Sequence, residues 1–135
     1  MNKKLLIRIM KSIERYPLNT RIVGGWLLYN DRLVPEGDKT AVCIAGWALA
    51  NGYIDEVSKL RFSLNFPFEE RAAAKLELKA YDARRLFYVT EWPQQFQDAF
   101  GPFTIGKPST REERFRQATA TVGRIQHFID TKGKE

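Results

Sequence analysis

Ala41-Val-Cys-Ile-Ala-Gly-Trp-Ala-Leu-Ala-Asn-Gly52, AVCIAGWALANG, is the stretch on which the reading of this chain turns. It holds the only cysteine, at the front of an apolar run, with a tryptophan four residues on. One reading makes Cys43 a nucleophile: it lies three residues after Thr40, a candidate helix cap, and the positive end of a helix favours a thiolate. The other makes the stretch a packing helix. Val42, Ile44, Ala45 and Trp47 give the thiol apolar neighbours, and desolvation favours its neutral form. A cysteine hydrolase also needs a base, and His127 is the one histidine of the chain. Gly46 inside a helix costs roughly 1 kcal/mol against alanine, which close approach of a neighbouring segment offsets. The packing reading is favoured, and it expects Cys43, Gly46 and Trp47 to be buried together.

Outward from this helix, Thr40 is expected to cap it and Gly52 to end it. Toward the N-terminus, Leu6, Ile9, Ile13 and Tyr16 recur at three and four, which predicts an amphipathic helix closed by Pro17. Residues 18 to 39 hold three glycines and a proline and predict irregular chain or a short hairpin, with Trp26 packed inward. Toward the C-terminus, PFEERAAAKLEL predicts a helix opening on Pro67. AYDARRLFYV predicts another, with Leu86 and Phe87 inward, and Trp92-Pro93 breaks it. PQQFQDAF reads as a short helix ending at Gly101. Ser109 with Glu112, and Thr110 with Glu113, both have capping-box spacing. Phe115, Ala118, Val122, Ile125 and Ile129 then predict a buried stripe on a last helix from Thr110 to Thr131. The expected architecture is mainly all-α: one domain over residues 1–135, a compact bundle of about five helices around Trp47, with an irregular N-terminal excursion.

The totals agree with this. A chain of 135 residues, 44% hydrophobic and 28% charged, can bury a core of its own. One cysteine makes no internal disulfide and, with one histidine, falls short of a zinc site, so a reducing, cytoplasmic setting without metal or cofactor is expected. Arg8 and Lys11 interrupt MNKKLLIRIMK before it can act as a signal peptide. No run free of charge reaches the roughly 20 residues that span a bilayer, so no membrane association is expected.

Other signals of chemistry weaken on inspection. GPFTIGKPST resembles a phosphate-binding loop, but Pro108 stands where a Ser or Thr should ligate magnesium, and no strand precedes it. Asp55-Glu56, Glu69-Glu70 and Glu112-Glu113 are adjacent pairs that diverge on a helix and suit helix starts better than acid/base work. The net charge of +6 is concentrated early: residues 1 to 30 carry six positive charges against Glu14 alone. Lys4, Arg8, Lys11 and Arg15 fall on one helical stripe that could meet phosphates. Because no aromatic residues are interleaved with them in sequence, a solvated face is the plainer reading.

Thr40-Ala-Val-Cys-Ile-Ala-Gly-Trp-Ala48, Arg85-Leu-Phe-Tyr88 with Trp92-Pro93, and Arg124-Ile-Gln-His-Phe-Ile129 together resemble a family of small uncharacterised bacterial and phage proteins. In that family a Cys-[Ile/Phe]-Ala-Gly-Trp-Ala helix is followed by a Leu-Phe…Trp-Pro segment and a C-terminal helix. The resemblance covers about residues 38 to 130 and implies a source and a fold, with no assigned activity. The family often has Cys-Gly-Thr where this chain has Gly37-Asp38-Lys39-Thr40, and Leu-Gly-Leu where it has Leu76-Glu77-Leu78. The expectation is a non-enzymatic cytoplasmic accessory protein that binds a macromolecule, foremost a protein partner. The alternatives are a nucleic-acid-binding protein using Lys4, Arg8, Lys11 and Arg15, and a cysteine-dependent hydrolase using Cys43 and His127.

Overall fold

The computed structural model describes residues 1–20, 28–29, 32–33, 35–36, 39–40, 43–57, 59–60, 66–102 and 110–135. These residues are mostly helical. The first helix, α1 (Lys3–Arg15), buries Leu5, Leu6, Ile9, Met10 and Ile13 along one face, each worth roughly 1.5–3 kcal/mol against exposure. Asn2 caps it: the side-chain oxygen accepts from the Leu5 N–H at 3.1 Å. A 3-10 turn at Pro17–Asn19 ends it, as the proline requires. Two antiparallel pairs of two residues each follow, Leu28–Tyr29 with Arg32–Leu33 and Pro35–Glu36 with Lys39–Thr40. They realise the expected excursion; Trp26 lies outside the described residues.

The quoted stretch forms α2 (Ile44–Leu49), shorter than expected and capped by Cys43 instead of Thr40. Thr40 is engaged with Pro35 in an antiparallel pair, so the chain is still extended there. The helix also ends earlier than the expected Asn51, at Leu49, with Asn51 and Gly52 both left-handed at φ +56° and +78°. A single turn, α3 (Ile54–Val57), and then α4 (Phe68–Lys75) follow. The fourth helix stops before the expected Leu78, because Glu77 takes a left-handed conformation at φ +55°. Its N–H donates to the Ala74 carbonyl, and that of Leu78 to the Ala73 carbonyl, a Schellman closure at a position where glycine is the usual residue. Next come α5 (Ala80–Phe87), with Leu86 and Phe87 buried, and α6 (Gln94–Phe100), ended by Gly101 at φ +81°.

The last helix, α7 (Arg111–Asp130), starts on a complete capping box between Thr110 and Glu113; Ser109 and most of the phosphate-loop-like segment lie outside the described residues. The adjacent carboxylate pairs occupy the first turns of α3, α4 and α7, as expected. The Thr110 N–H, and then its hydroxyl, hold the Glu113 carboxyl below its ordinary value of 4.5. A carboxyl depressed by folding adds stability above its unfolded value, and that stability is lost as pH falls through the folded one. Glu113→Gln should therefore lose less stability than the wild type as pH drops below about 4.5, read from urea midpoints; parallel acid limbs would show that the box does not couple to protons.

The seven helices of the described residues pack as one bundle: α7 lies against α1 and α6, α2 against α4, and α5 touches both α2 and α7. Trp47 is fully buried, and its indole N–H donates to the Thr20 hydroxyl at 2.8 Å. Trp92 donates to the Leu86 carbonyl at 2.8 Å and meets Phe100 edge to face at 5.6 Å. The expected stripe of α7 needs correction. Phe115 is 40% exposed and rims an open groove of about 350 Å³ with Ile13, Pro17 and Val122. Arg114, Gln117, Thr121 and Arg124 are buried instead, beside Ala118, Ile125 and Ile129, so the inward face is turned by roughly a quarter of the circumference. These polar groups can go inside because main-chain oxygens receive them: Leu18 for Arg114, Gln117 for Thr121 and Arg85 for Arg124.

Candidate functional site

The basic stripe is laid out on the outer face of α1, where Lys4, Arg8, Lys11 and Arg15 are all exposed. Among the described residues no carboxylate pairs with any of them. Arg8 is held in place by the chain end of α2. Its aliphatic stem lies on Gly52, where an added Cβ would come within 2.8 Å of the Arg8 Cγ. The guanidinium donates to the Asn51 carbonyl at 3.2 Å and stands 5.0 Å above the ring of Tyr53. Arg15 covers Tyr16 in the same way at 5.4 Å. Lys75, from the end of α4, donates to the Asn51 side chain at 3.0 Å and adds a cation to this edge.

Tyr53 is 53% exposed. The face is thus a row of cations with two tyrosine rings beside it, an arrangement that sequence order hides, since Tyr53 lies 45 residues beyond Arg8. Long-range contacts bring these groups together: Ser12 donates to the Gly52 carbonyl at 2.6 Å, seating the Asn51–Tyr53 turn on α1. The chemistry on offer is recognition of an extended anion, with ammonium and guanidinium groups for phosphates and π-faces for planar rings.

Cys43 lies elsewhere, fully buried with Gly46 and Trp47 as expected. Burial pushes its thiol up from the ordinary 9.0, while the Gly46 and Ala45 N–H groups pull the other way. His127 is half-buried on α7, with its ring 5.1 Å from that of Phe96 and Nε2 at 3.8 Å from a carboxylate oxygen of Glu135. These are different surroundings: one is a dry helix start, the other a cationic corner beside α5. No group of three or more His, Cys, Asp or Glu that could hold a metal occurs among the described residues, and none of their helices is long and apolar enough to cross a membrane.

The corner at His127 is a cluster that sequence reading missed. Arg124, fully buried on α7, and Arg85, on α5, both reach the Glu135 carboxylate. A signal was present: Arg114, Gln117, Thr121, Arg124 and Phe128 repeat at three and four, but counting apolar residues alone passes over such a stripe. Comparison of the chain with protein-family models, with curated proteins and with solved structures finds no match in any of the three.

Proposed function

We propose that the protein acts by binding a macromolecular partner rather than by catalysis, that the binding face is the basic stripe of α1, and that the partner there is a nucleic acid. The observation that carries this reading is the juxtaposition of four exposed cations, none with a carboxylate partner among the described residues, with Tyr53 and Tyr16. The cations would meet phosphates and the tyrosines would meet bases, each stack worth about 1–3 kcal/mol. The setting on this reading is the cytoplasm of a bacterium or its phage, which the lone buried cysteine and the similarity described above support.

Salt is the test. If four phosphates are contacted, the affinity should fall about 50-fold on single strands and about 150-fold on duplex between 50 and 200 mM salt. Fluorescence anisotropy with labelled oligonucleotides measures this. Lys4→Glu with Lys11→Glu, at two side chains that hold no partner among the described residues, should abolish binding without unfolding the chain. Tyr53→Ala should weaken single-strand binding and leave the salt slope unchanged. Absence of saturable binding at low salt, or a slope near zero, would end the proposal.

A further inference from the structure

The Arg85–Arg124 corner is built like a binding site, and what fills it is a side chain of the protein itself. Arg124 presents Nη1 and Nη2 to the two oxygens of the Glu135 carboxylate, the second at 2.6 Å. Arg85 adds Nη1 at 3.2 Å, and His127 Nε2 stands 3.8 Å from the same group. This is the fork geometry by which guanidinium recognises a planar carboxylate. Both arginines are fixed independently of Glu135. The Arg124 Nη2 also donates to the Arg85 carbonyl at 2.8 Å, and Arg85 donates to Asp82 at 2.7 Å. The rings of Phe96 and Phe128 lie 6.0 and 5.4 Å from the Arg124 guanidinium.

The carboxylate, by contrast, comes from outside the helices. Arg85 and Arg124 project from packed helices, whereas Glu135 follows a tight turn in which Lys132 and Gly133 have φ of +53° and +74°. Gly133 is pressed to the Phe128 ring, where an added Cβ would sit at 3.2 Å, and its carbonyl accepts from Arg85 at 2.5 Å. Charge sharpens the point. Asp82 partners Arg85, but among the described residues Glu135 is the one carboxylate on Arg124, whose side chain has no exposure at all. Withdrawing Glu135 leaves a buried guanidinium that needs another anion, and the Nε atoms of both arginines are buried with no hydrogen-bond partner among the described residues.

We propose that Arg85, Arg124 and His127 form a carboxylate-binding site which the Glu135 side chain plugs from within the chain, and which a carboxylate-bearing ligand occupies when that plug is displaced. The ligand class is a planar carboxylate, either a small free acid or an acidic side chain of a peptide. This site is on α5 and α7 and stands apart from the α1 face, so its failure would leave the nucleic-acid reading untouched.

The experiment uses the full chain with Glu135→Gln and Glu135→Ala, titrated with acetate, with a short glutamate-containing peptide and with inorganic phosphate. Thermal unfolding and the arginine Nε–H signals in NMR are the readouts. Acetate should raise the melting temperature of both variants and shift the Arg124 signal, with an apparent affinity about tenfold or more above that of the wild type, whose plug competes. Arg85→Met added to Glu135→Gln should remove the response. The peptide binding more tightly than acetate assigns the site to a protein partner, and the reverse assigns it to a free acid. If neither variant responds to acetate, if wild type and variants respond alike, or if phosphate binds more tightly than acetate, the proposal is overturned and Glu135 is a structural staple.

Discussion

Cys43 in the folded protein should react with a water-soluble thiol reagent roughly a thousand-fold or more slowly than the same chain in denaturant. The estimate follows from access: a thiol with no exposed surface reacts from open states, and domains with an unfolding free energy of about 5–15 kcal/mol populate them rarely. Ionisation adds to the delay, because the thiolate is the reactive form and burial raises the pKa. The same shift gives a stability effect of definite sign. The folded state holds the thiol proton more tightly than the unfolded chain, so this contribution is whole below the unfolded value of 9.0 and is lost as pH climbs through the folded one. Cys43→Ala should flatten that alkaline fall. Labelling of the native protein at the rate of a free thiol would contradict the buried setting and bring back the cysteine-hydrolase reading.

Trp47→Ala should cost about 3–5 kcal/mol, the range for deleting a large aromatic side chain from a closed core. For a chain of this length that is a fall of roughly 11–18 °C in melting temperature. Three losses combine. The fully buried indole leaves a cavity bounded by α2 and its neighbours, the apolar surface is no longer removed from water, and the buried Thr20 hydroxyl loses the N–H it accepts from. Trp47→Phe separates these, since it keeps most of the packing and loses the hydrogen bond, and should cost less than half as much. Urea unfolding with an unchanged slope is the measurement. A cost under about 1.5 kcal/mol for the alanine variant would mean that the bundle is not centred on this residue.

Elements whose signals are local were legible in the sequence. The period of α1, its closure at Pro17, the end of α6 at Gly101 and the Thr110–Glu113 capping box all depend on residues within a few positions of one another. The start of α2 departs from the expectation because Thr40 has the chemistry of a cap, while its backbone is taken up in an antiparallel pair with Pro35. The inward face of α7 departs from the expected stripe for a different reason. Arg114 and Arg124 are buried because the carbonyls of Leu18 and Arg85 receive them, and those partners lie 96 and 39 residues away. The candidate face was half visible: the stripe of cations follows from spacing, but Tyr53 reaches Arg8 through the tertiary fold alone.

Asn2 has a consequence for the order of assembly. Its backbone N–H donates to the Leu76 carbonyl at 2.7 Å and its side-chain amide to that of Lys75 at 3.1 Å, so the beginning of α1 is fastened to the end of α4 across more than seventy residues. The other main support of α1 is α7, later still in the chain. In a growing polypeptide α1 therefore precedes both of these supports. Until α7 has been made, Leu6, Ile9 and Ile13 have nothing complete to pack on, and closing so long a loop slows the final docking. The helix that carries the cations is thus made well before the elements that secure it.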